Sequence, residues 1–466
     1  MGEAILARGS ASITLNGASG NALIRATCIA GATVTCTQGS LVYTDTSTGI
    51  TEFGVGYGTW VVSHTANGKT KSVTIEVTEL KIYEINLSGY TYGISIDMTD
   101  SDPASAVTYI GDAEGFTPLS VTLSSGACNY GSWKDIITDF IGCKPCLYKS
   151  GAVSAYLNPD NYAQTEAGAT ADITSGTYDV MVEFKKLWYR YAKNGSTLTF
   201  EIADYDRSDE GFVCTAFASM DGSGTIKDHM YFSAYEGYNS SNKTRSLSGK
   251  TPTGNVSYTN FRTYCKANGS LYGMEDWAKR FYILGLLMLV TKTRGIQAAV
   301  GYGVVSGSAA CTTGTLNAKG LFCGYSNGTS AVKAFGIENM WGSLWNWCDG
   351  IITNSSTTVA MKAMAPYNDT GSGYETVADG LTRNNSLYAT TMIPVLGGAA
   401  IIASVGQSSA TLGWPDYVSV SSGSSLVAYV GGLYSNGFDV AGPFCVSVDY
   451  TVSIAYTSVG ARLVAS

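Results

Sequence analysis

The chain has 466 residues, of which 14% are charged, and a formal net charge of −8 at pH 7. This length allows two or three domains with separate hydrophobic cores. No run of Lys or Arg supplies the basic stripe that a nucleic-acid groove requires, so nucleic acid is excluded as a partner. The N-terminus has neither the basic nor the apolar region of a signal peptide, from which we expect synthesis in a cytoplasm.

The composition is rich in glycine and tyrosine, with 55 and 31 copies, and contains many Ser and Thr. The scarcity of Glu, Lys and Arg favours strands and loops over helices. Tyr, Ser, Gly and Asn also dominate recognition surfaces, because Tyr offers contact area at low rotamer cost and small residues let loops adapt. A β-protein with many turns explains the same composition equally well.

Residues 1–85 are predicted to form a small β-sandwich that acts as a spacer. Short alternating segments recur at intervals of about ten residues, separated by Gly, Asn and Asp turns. These segments are residues 11–15, 32–36, 59–63 and 72–77. Residues 31–39, 57–62 and 66–69 resemble immunoglobulin-like modules of phage tail and adhesion proteins.

A hinge is predicted at residues 80–88, and residues 86–466 are predicted to form one elaborated domain. Helical spacing of apolar residues predicts helices over residues 256–268 and 276–293. The longest apolar stretch, residues 281–290, is about half of the roughly 20 residues that span a bilayer. We therefore expect a buried core helix there and no membrane insertion.

Three stretches carry a family resemblance. The first is residues 101–112 (SDPASAVTYIGD) followed by 181–188 (MVEFKKLW), and the second is residues 335–350 (FGIENMWGSLWNWCDG). The third combines residues 431–437 (GGLYSNG), 441–444 (AGPF) and 459–464 (VGARLV). In this order they resemble phage and prophage tail proteins with a C-type-lectin-like fold. Formylglycine-generating enzymes and the variable proteins of diversity-generating retroelements share that fold.

Two helices docked on an irregular antiparallel assembly predict an α+β fold class, and the resemblance implies its domain architecture. A small immunoglobulin-like sandwich would precede a large C-type-lectin-like domain, which consists of an irregular antiparallel sheet, two helices and long loops. It implies a homotrimeric receptor-binding protein of a phage tail tip or fibre, located in the virion and synthesised in the host bacterial cytoplasm. The partners would be a bacterial surface receptor, protein or glycan, and other tail proteins. A structural baseplate or tail protein and a glycan depolymerase remain alternatives.

The resemblance also places ligand contacts in a C-terminal binding region at about residues 428–466, possibly diversified by a retroelement. A fixed scaffold would surround them, with positions Gly431, Gly432, Asn436, Gly437, Gly442, Pro443, Phe444, Gly460 and Arg462. The ligand-facing positions would be Leu433, Tyr434, Ser435, Phe438, Asp439, Ser447, Asp449, Tyr450, Ser453, Ala455, Tyr456 and Ser458. An ordinary surface hairpin whose tyrosines pack on neighbouring residues is the alternative.

The alternation of apolar and polar residues between positions 444 and 450 predicts which side chains of this segment face outward. Residues 444, 446 and 448 are apolar, whereas residues 445, 447 and 449 are Cys, Ser and Asp. Alternate residues of a strand lie on opposite faces, so the first set is expected to be buried and the second exposed.

The Trp-rich second stretch is predicted to be structural. Trp341, Trp345 and Trp347 would act as core anchors. Glu338 and Asn339 would satisfy buried backbone groups. Arg462 would be a buried or half-buried strut.

Several observations argue against catalysis, a cofactor and a metal. Only two histidines, His64 and His229, are present, which nearly excludes a histidine triad or a multi-histidine metal site. The eleven cysteines are expected to be reduced, although Cys28 and Cys36 on neighbouring strands could face each other. The pair Cys143 and Cys146 lacks the second pair that a zinc site needs.

The acidic residues leave a glycosidase pair open by number alone. Asp204, Asp206, Asp209 and Glu210 cluster in the sequence, as do Glu183 and Glu201, and we expect solvated loop residues. Trp414 to Asp416 only partly matches the calcium-binding motif of C-type lectins, so no calcium site is predicted. Cys348 and Cys445 lack the context of a formylglycine-generating site.

Overall fold

The computed structural model describes residues 22–66, 69–354, 358–377, 385–406 and 413–466. The chain divides into two compact units, residues 1–90 and 91–466. The boundary predicted from the sequence lies five residues earlier, after residue 85. Strands greatly outnumber helices among the described residues, so the architecture is mainly β rather than the expected α+β. The predicted strand at residues 11–15 lies outside the described residues.

The first unit contains two sheets. Its strands are β1 (Ala22–Thr27), β2 (Thr33–Gln38), β3 (Leu41–Thr46), β4 (Ile50–Val55), β5 (Gly58–Ala66), β6 (Lys69–Val77) and β7 (Ile82–Asn86). One sheet has the order β4-β1-β7 and the other β3-β2-β5-β6. The strands predicted around residues 32–36, 59–63 and 72–77 are therefore confirmed.

Alternating apolar residues of both sheets meet in one core. Ile24 and Phe53 from one sheet and Val34, Cys36 and Trp60 from the other belong to the same buried cluster. Trp60 is anchored by its Nε1, which donates a hydrogen bond of 2.8 Å to the Gly56 carbonyl. The two inner faces thus fill a single hydrophobic layer, as in other two-sheet proteins.

The second unit contains the remaining strands. They are β8 (Thr91–Asp97), β9 (Val107–Gly111), β10 (Ser120–Thr122), β11 (Ala127–Asn129), β12 (Lys144–Lys149), β13 (Ala152–Asn158), β14 (Asn161–Thr165), β15 (Asp179–Lys185), β16 (Trp188–Asn194), β17 (Thr197–Ala203), β18 (His229–Ser233), β19 (Tyr238–Ser240), β20 (Lys243–Arg245), β21 (Tyr272–Met274), β22 (Lys333–Ala334), β23 (Ile337–Glu338), β24 (Trp345–Thr353), β25 (Val359–Met361), β26 (Glu375–Val377), β27 (Asn385–Pro394), β28 (Ala400–Gly406), β29 (Tyr417–Val420), β30 (Leu426–Val430), β31 (Val446–Thr451), β32 (Val459–Ala461) and β33 (Leu463–Ala465).

Three larger sheets organise this unit. Their orders are β16-β17-β8-β9, β14-β13-β12-β15-β18-β33-β21 and β26-β25-β24-β30-β31-β29-β27-β28, with β32 pairing parallel to β24 in the last. The strand pairs β10-β11, β19-β20 and β22-β23 form separate two-stranded sheets. The seven-stranded and nine-stranded sheets contribute to a common core that also contains helical residues.

The described helices are α1 (Tyr258–Lys266), α2 (Trp277–Thr291) and α3 (Ile296–Val300). Short helical turns occur at Ile136–Phe140, Ser208–Glu210, Thr215–Phe217 and Leu396–Gly398. The side chains of Ser257 and Asp276 cap α1 and α2, accepting hydrogen bonds from the third amide of each helix. Both predicted helices are confirmed, and α3 was not predicted.

Every residue of α2 is buried, as expected for a helix that is apolar around its circumference. Its two cations are compensated within the protein. Arg280 Nη1 lies 2.8 Å from Glu275 Oε1, and Lys279 Nζ lies 3.1 Å from Asp276 Oδ2. No helix in the described ranges has the length and apolar character needed to span a membrane.

The C-terminal region does not form one hairpin. Strand β31 lies between β29 and β30 of the nine-stranded sheet, β32 lies beside β24, and β33 is inserted between β18 and β21 of the seven-stranded sheet. The last residues therefore connect two sheets. The surface predicted to bind a ligand lies on the segments that precede and follow β31.

Candidate functional site

Two segments carry most of the predicted ligand-facing residues. We call residues 433–439, between β30 and β31, the first loop, and residues 449–458, from the end of β31 to β32, the second loop. The exposed predicted positions are Ser435, Phe438, Asp439, Ser453, Ala455 and Tyr456. The half-buried positions are Leu433, Tyr434, Asp449, Tyr450 and Ser458.

The two loops adjoin one short segment, Ser343–Trp345. The amide of Tyr434 in the first loop donates to the Ser343 carbonyl at 2.8 Å. The Trp345 amide donates to the carbonyl of Ser458 in the second loop at 3.1 Å. Because Ser343 and Trp345 are only two residues apart in the chain, both loops are held to the same short segment.

The alternation predicted for β31 is wrong at two positions. Cys445 is buried, and Ser447, with 4% of its surface exposed, is also inaccessible. Ser447 lies on β31, an interior strand of the nine-stranded sheet, and Cys445 directly precedes it; such strands can be covered on both faces. Ser447 therefore does not belong to the accessible surface, and the expectation for it fails.

A series of aromatic rings in contact runs from the interior to the second loop. We call Trp347, Tyr429, Tyr450 and Tyr456 the aromatic column. Ring centroids are 5.5 Å apart between Trp347 and Tyr429, 5.2 Å between Tyr429 and Tyr450, and 4.7 Å between Tyr450 and Tyr456. Trp347 is fully buried and Tyr456 is 43% exposed. The column thus anchors an exposed ring on a rigid core.

A carboxylate lies at the edge of this column. The Tyr429 hydroxyl donates to Asp449 Oδ1 at 2.6 Å. Burial, reinforced by Asp449, raises the pKa of Tyr429, and burial also raises the pKa of Tyr450. These phenols therefore remain neutral hydrogen-bond donors at physiological pH. The sequence analysis did not identify Tyr429. The one available indication is weak: Tyr429 lies two residues after Val427 in an apolar segment, which would place both side chains on the same face of a strand.

The first loop is held by its own backbone and by neighbouring loops. Asn436 Oδ1 accepts from the Leu433 amide at 2.7 Å, and the Gly437 amide donates to the Val305 carbonyl at 2.8 Å. Phe438 packs edge-on against Tyr302, with ring centroids 5.1 Å apart. Asn436, which the resemblance assigned to the scaffold, thus holds the loop backbone through its side chain.

Two buried carboxyl groups support the loops, and sequence reasoning missed both roles. Glu236 Oε1 accepts from the Leu344 amide at 3.0 Å, within the segment that joins the loops. Asp416 Oδ2 accepts from the Phe444 amide at 2.9 Å, just before β31. Burial raises the pKa of each group to about 7. The sequence pattern that could have indicated a buried carboxyl group is a single acidic residue within an otherwise apolar or glycine-rich stretch.

The structural roles predicted for Glu338, Asn339 and Arg462 are confirmed. Glu338 accepts from the amides of Gly314 and Leu316, both at 2.8 Å. Asn339 Oδ1 accepts from the Val332 amide at 3.2 Å. The fully buried Arg462 donates through Nη2 to the carbonyl oxygens of Glu338 and Asn339.

Glu183 and Glu201 lie on different sheets, whereas Glu201 and Glu210 both pair with Arg207. Glu183 lies on β15 and accepts from the hydroxyls of Tyr156 and Tyr231, both at 2.9 Å. Glu201 lies on β17 of another sheet and pairs with Arg190 at 2.6 Å. The cluster Asp204, Asp206, Asp209 and Glu210 is exposed, as expected.

His64 is buried in the first unit, and in the second unit His229 Nε2 lies 3.9 Å from Glu183 Oε1. All eleven cysteines fall within the described ranges and are free thiols. Burial raises the pKa of Cys143 and Cys146, which makes them poor nucleophiles. Across the described ranges, no group of three His, Cys, Asp or Glu is placed to hold a metal ion.

No protein-family model matches the chain, and no curated protein matches it. Among solved structures, the chain is similar to the P3c, U1 and I1 variants of a protein named Major Tropism Determinant. The identities are 13%, 13% and 12%, and the TM-scores 0.28, 0.27 and 0.28. Each match covers 88% of this chain and 81% of the other. TM-scores of this size do not define a shared fold.

Proposed function

We propose that this protein is a non-enzymatic receptor-binding protein of a phage tail tip, and that its two adjoining loops contact a bacterial surface. The observation that carries the proposal is the exposed Tyr, Phe, Ser and Asp side chains of these loops on a buried frame. Tyr456 and Phe438 are among the most exposed large apolar side chains of the second unit. Rigid aromatic anchors surrounded by adaptable polar groups are typical of recognition surfaces.

The sequence resemblance supplies the biological setting of the proposal. It supports an immunoglobulin-like spacer in residues 1–85, a C-type-lectin-like domain in residues 86–466, and a location in the virion. A homotrimer would present three copies of the loops and raise the avidity well above the affinity of one site. Retroelement-directed variation would alter the loop side chains while the buried frame stays constant.

A binding assay on a panel of bacterial strains tests the proposal. Fluorescently labelled full-length protein is expected to bind at least one strain saturably, as measured by flow cytometry. The combined Tyr434→Ala, Tyr450→Ala and Tyr456→Ala variant should lose at least tenfold in binding while keeping the wild-type circular dichroism spectrum. Tyr57→Ala is the matched control, since Tyr57 is 60% exposed but lies in the first unit.

Unchanged binding by the folded triple variant would remove the loops from the receptor site. Binding to isolated tail components but to no strain would favour a structural baseplate or tail protein. Loss of surface polysaccharide from cells incubated with the protein would favour a depolymerase.

A further inference from the structure

We infer that the second loop and the aromatic column form a stacking site for an uncharged pyranose ring of a surface glycan. This inference rests on the proposed function and names the ligand class of one part of the receptor-binding surface. Tyr456 would supply the ring face, and Asp449 would accept hydrogen bonds from sugar hydroxyls.

The geometry of the column indicates a ring-shaped ligand. Tyr429 and Tyr450 are nearly parallel, with an angle of 10° between their planes, and Tyr450 and Tyr456 are inclined by 36°. Tyr456 ends the series, and among the described rings only Tyr450 packs against it. A further ring would extend this series with the offset-stacked geometry that aromatic faces favour.

The same geometry disfavours a quaternary ammonium ligand. Such cations are held in cages whose ring faces converge on one point. Here Tyr429 and Tyr450 are nearly parallel and Tyr456 is inclined to Tyr450 by 36°, so the three rings follow one another in a row and do not converge on one point. A pyranose instead needs only one exposed aromatic face, against which its axial C–H groups pack.

The charge of the second loop selects against anionic ligands. Residues 449–458 contain one carboxylate, Asp449, and no Lys or Arg. A phosphorylated or carboxylated ligand would be repelled by Asp449 with no cation of the loop to compensate it. Nucleotides and acidic sugars therefore fit less well than a neutral sugar.

Polar groups beside the column match a ligand rich in hydroxyl groups. A carboxylate accepts up to four hydrogen bonds, and Asp449 Oδ1 receives one from Tyr429. Its second oxygen has no hydrogen-bond donor among the described residues and can accept from a sugar hydroxyl. Thr451 and Ser453, both exposed and with hydroxyl oxygens 3.3 Å apart, add further donors and acceptors on the same loop.

Saturation-transfer difference NMR on the full-length protein tests the inference. The probes are the methyl α- and β-pyranosides of glucose, galactose and mannose, with N-acetylneuraminic acid as the anionic comparison. At least one neutral glycoside should receive saturation, strongest at the C–H protons of one ring face. Tyr456→Ala should weaken binding at least tenfold, and Asp449→Asn several-fold.

Two matched variants separate stacking from general loss of structure. Tyr456→Phe keeps the ring, so its affinity should stay within about threefold of wild type. Tyr57→Ala in the first unit should leave the signal unchanged. The inference is overturned if no neutral glycoside receives saturation, if Tyr456→Ala does not change the signal, or if the anionic sugar binds more tightly.

Chemical treatment of cells distinguishes failure of this inference from failure of the proposed function. Periodate oxidation of a bound strain should abolish binding, because it destroys vicinal diols, whereas protease treatment should not. The opposite pattern would overturn the glycan ligand and leave the receptor-binding function intact. Glycoside binding in solution without binding to any strain would instead remove the proposed function alone.

Discussion

The carboxyl group of Asp416 accepts a hydrogen bond from the backbone amide of Phe444, with 2.9 Å between Oδ2 and the amide nitrogen. The other oxygen, Oδ1, is buried and has no hydrogen-bond partner among the described residues. It lies against Gly442, where any Cβ atom would overlap it. Asp416 thus fixes the entry of the chain into β31, and glycine is required opposite it.

This contact predicts a pH dependence of stability. Burial raises the pKa of Asp416 to about 7 from an ordinary value of 3.8, so the folded state holds a proton that the unfolded state releases. The stability that this bound proton contributes to the folded state is fully present below pH 3.8 and is lost as pH rises to about 7. Asparagine does not titrate, so the Asp416→Asn variant does not lose this contribution. The unfolding free energy of the variant minus that of wild type should therefore increase by on the order of 3 to 4 kcal/mol from pH 4 to pH 8.

Urea unfolding of wild type and Asp416→Asn at both pH values measures this difference. Asp97→Asn is the control, because Asp97 is an exposed aspartate of the same unit whose pKa is lowered. An equal stability difference between wild type and Asp416→Asn at both pH values would contradict the proton uptake.

Glu236 predicts a contrast between two substitutions. Glu236→Ala leaves the buried Leu344 amide without its acceptor, which should lower the unfolding free energy by about 2 to 3 kcal/mol. Glu236→Gln keeps an acceptor oxygen and should cost less than about 1 kcal/mol. Thermal unfolding checks the order of the two variants. Equal losses would mean that the hydrogen bond to Leu344 is not the relevant interaction.

Alanine substitutions at two glycines, one just before the first loop and one within it, distinguish the cost of backbone strain from the cost of steric overlap. Gly432 and Gly437 have φ values of +86° and +83°, so alanine is strained equally at both. At Gly437 an added Cβ meets nothing within 4 Å, whereas at Gly432 it would overlap Ala441. Gly437→Ala should cost about 1 kcal/mol, and Gly432→Ala at least twice as much. Comparable melting temperatures for the two variants would refute this packing.

Arg462 should tolerate neither shortening nor neutralisation. Its Nη2 donates to the carbonyls of Glu338 and Asn339, and Glu236 and Glu275 lie close enough to interact with its charge. Arg462→Met should destabilise the second unit by about 3 kcal/mol or more, because buried acids lose their cation. Arg25→Met, at a more exposed arginine of the first unit, is the control for urea unfolding. A stabilised Arg462→Met variant would show that the buried charge is dispensable.

Local patterns were sufficient for several elements of the fold. Strands β2, β5 and β6 follow from period-two alternation, and α2 follows from its apolar residues at helical spacing. The roles of Glu338 and Asn339 also followed from sequence, since a loop-rich fold must satisfy its buried amides somewhere.

The candidate site was only partly predictable. Alternation placed Ser447 on an exposed face, but Ser447 is buried on a strand that lies between β29 and β30 within the nine-stranded sheet. The aromatic column joins Trp347, Tyr429, Tyr450 and Tyr456 from three strands and a loop, and no local pattern relates residues so far apart. The buried acids Glu236 and Asp416 were missed for the same reason.

The sequence by itself determined several strands of the first unit, the two longer helices and which residue types are available for recognition, because these properties depend on neighbours within a few positions. Only the tertiary structure decided which side chains reach the surface, which rings stack and which carboxyl groups keep a proton. Those outcomes depend on burial and on contacts between residues that are far apart in the chain. Ser219 and Ser466, for example, are more than two hundred positions apart, yet the Ser219 hydroxyl donates to the Ser466 carbonyl at 3.3 Å.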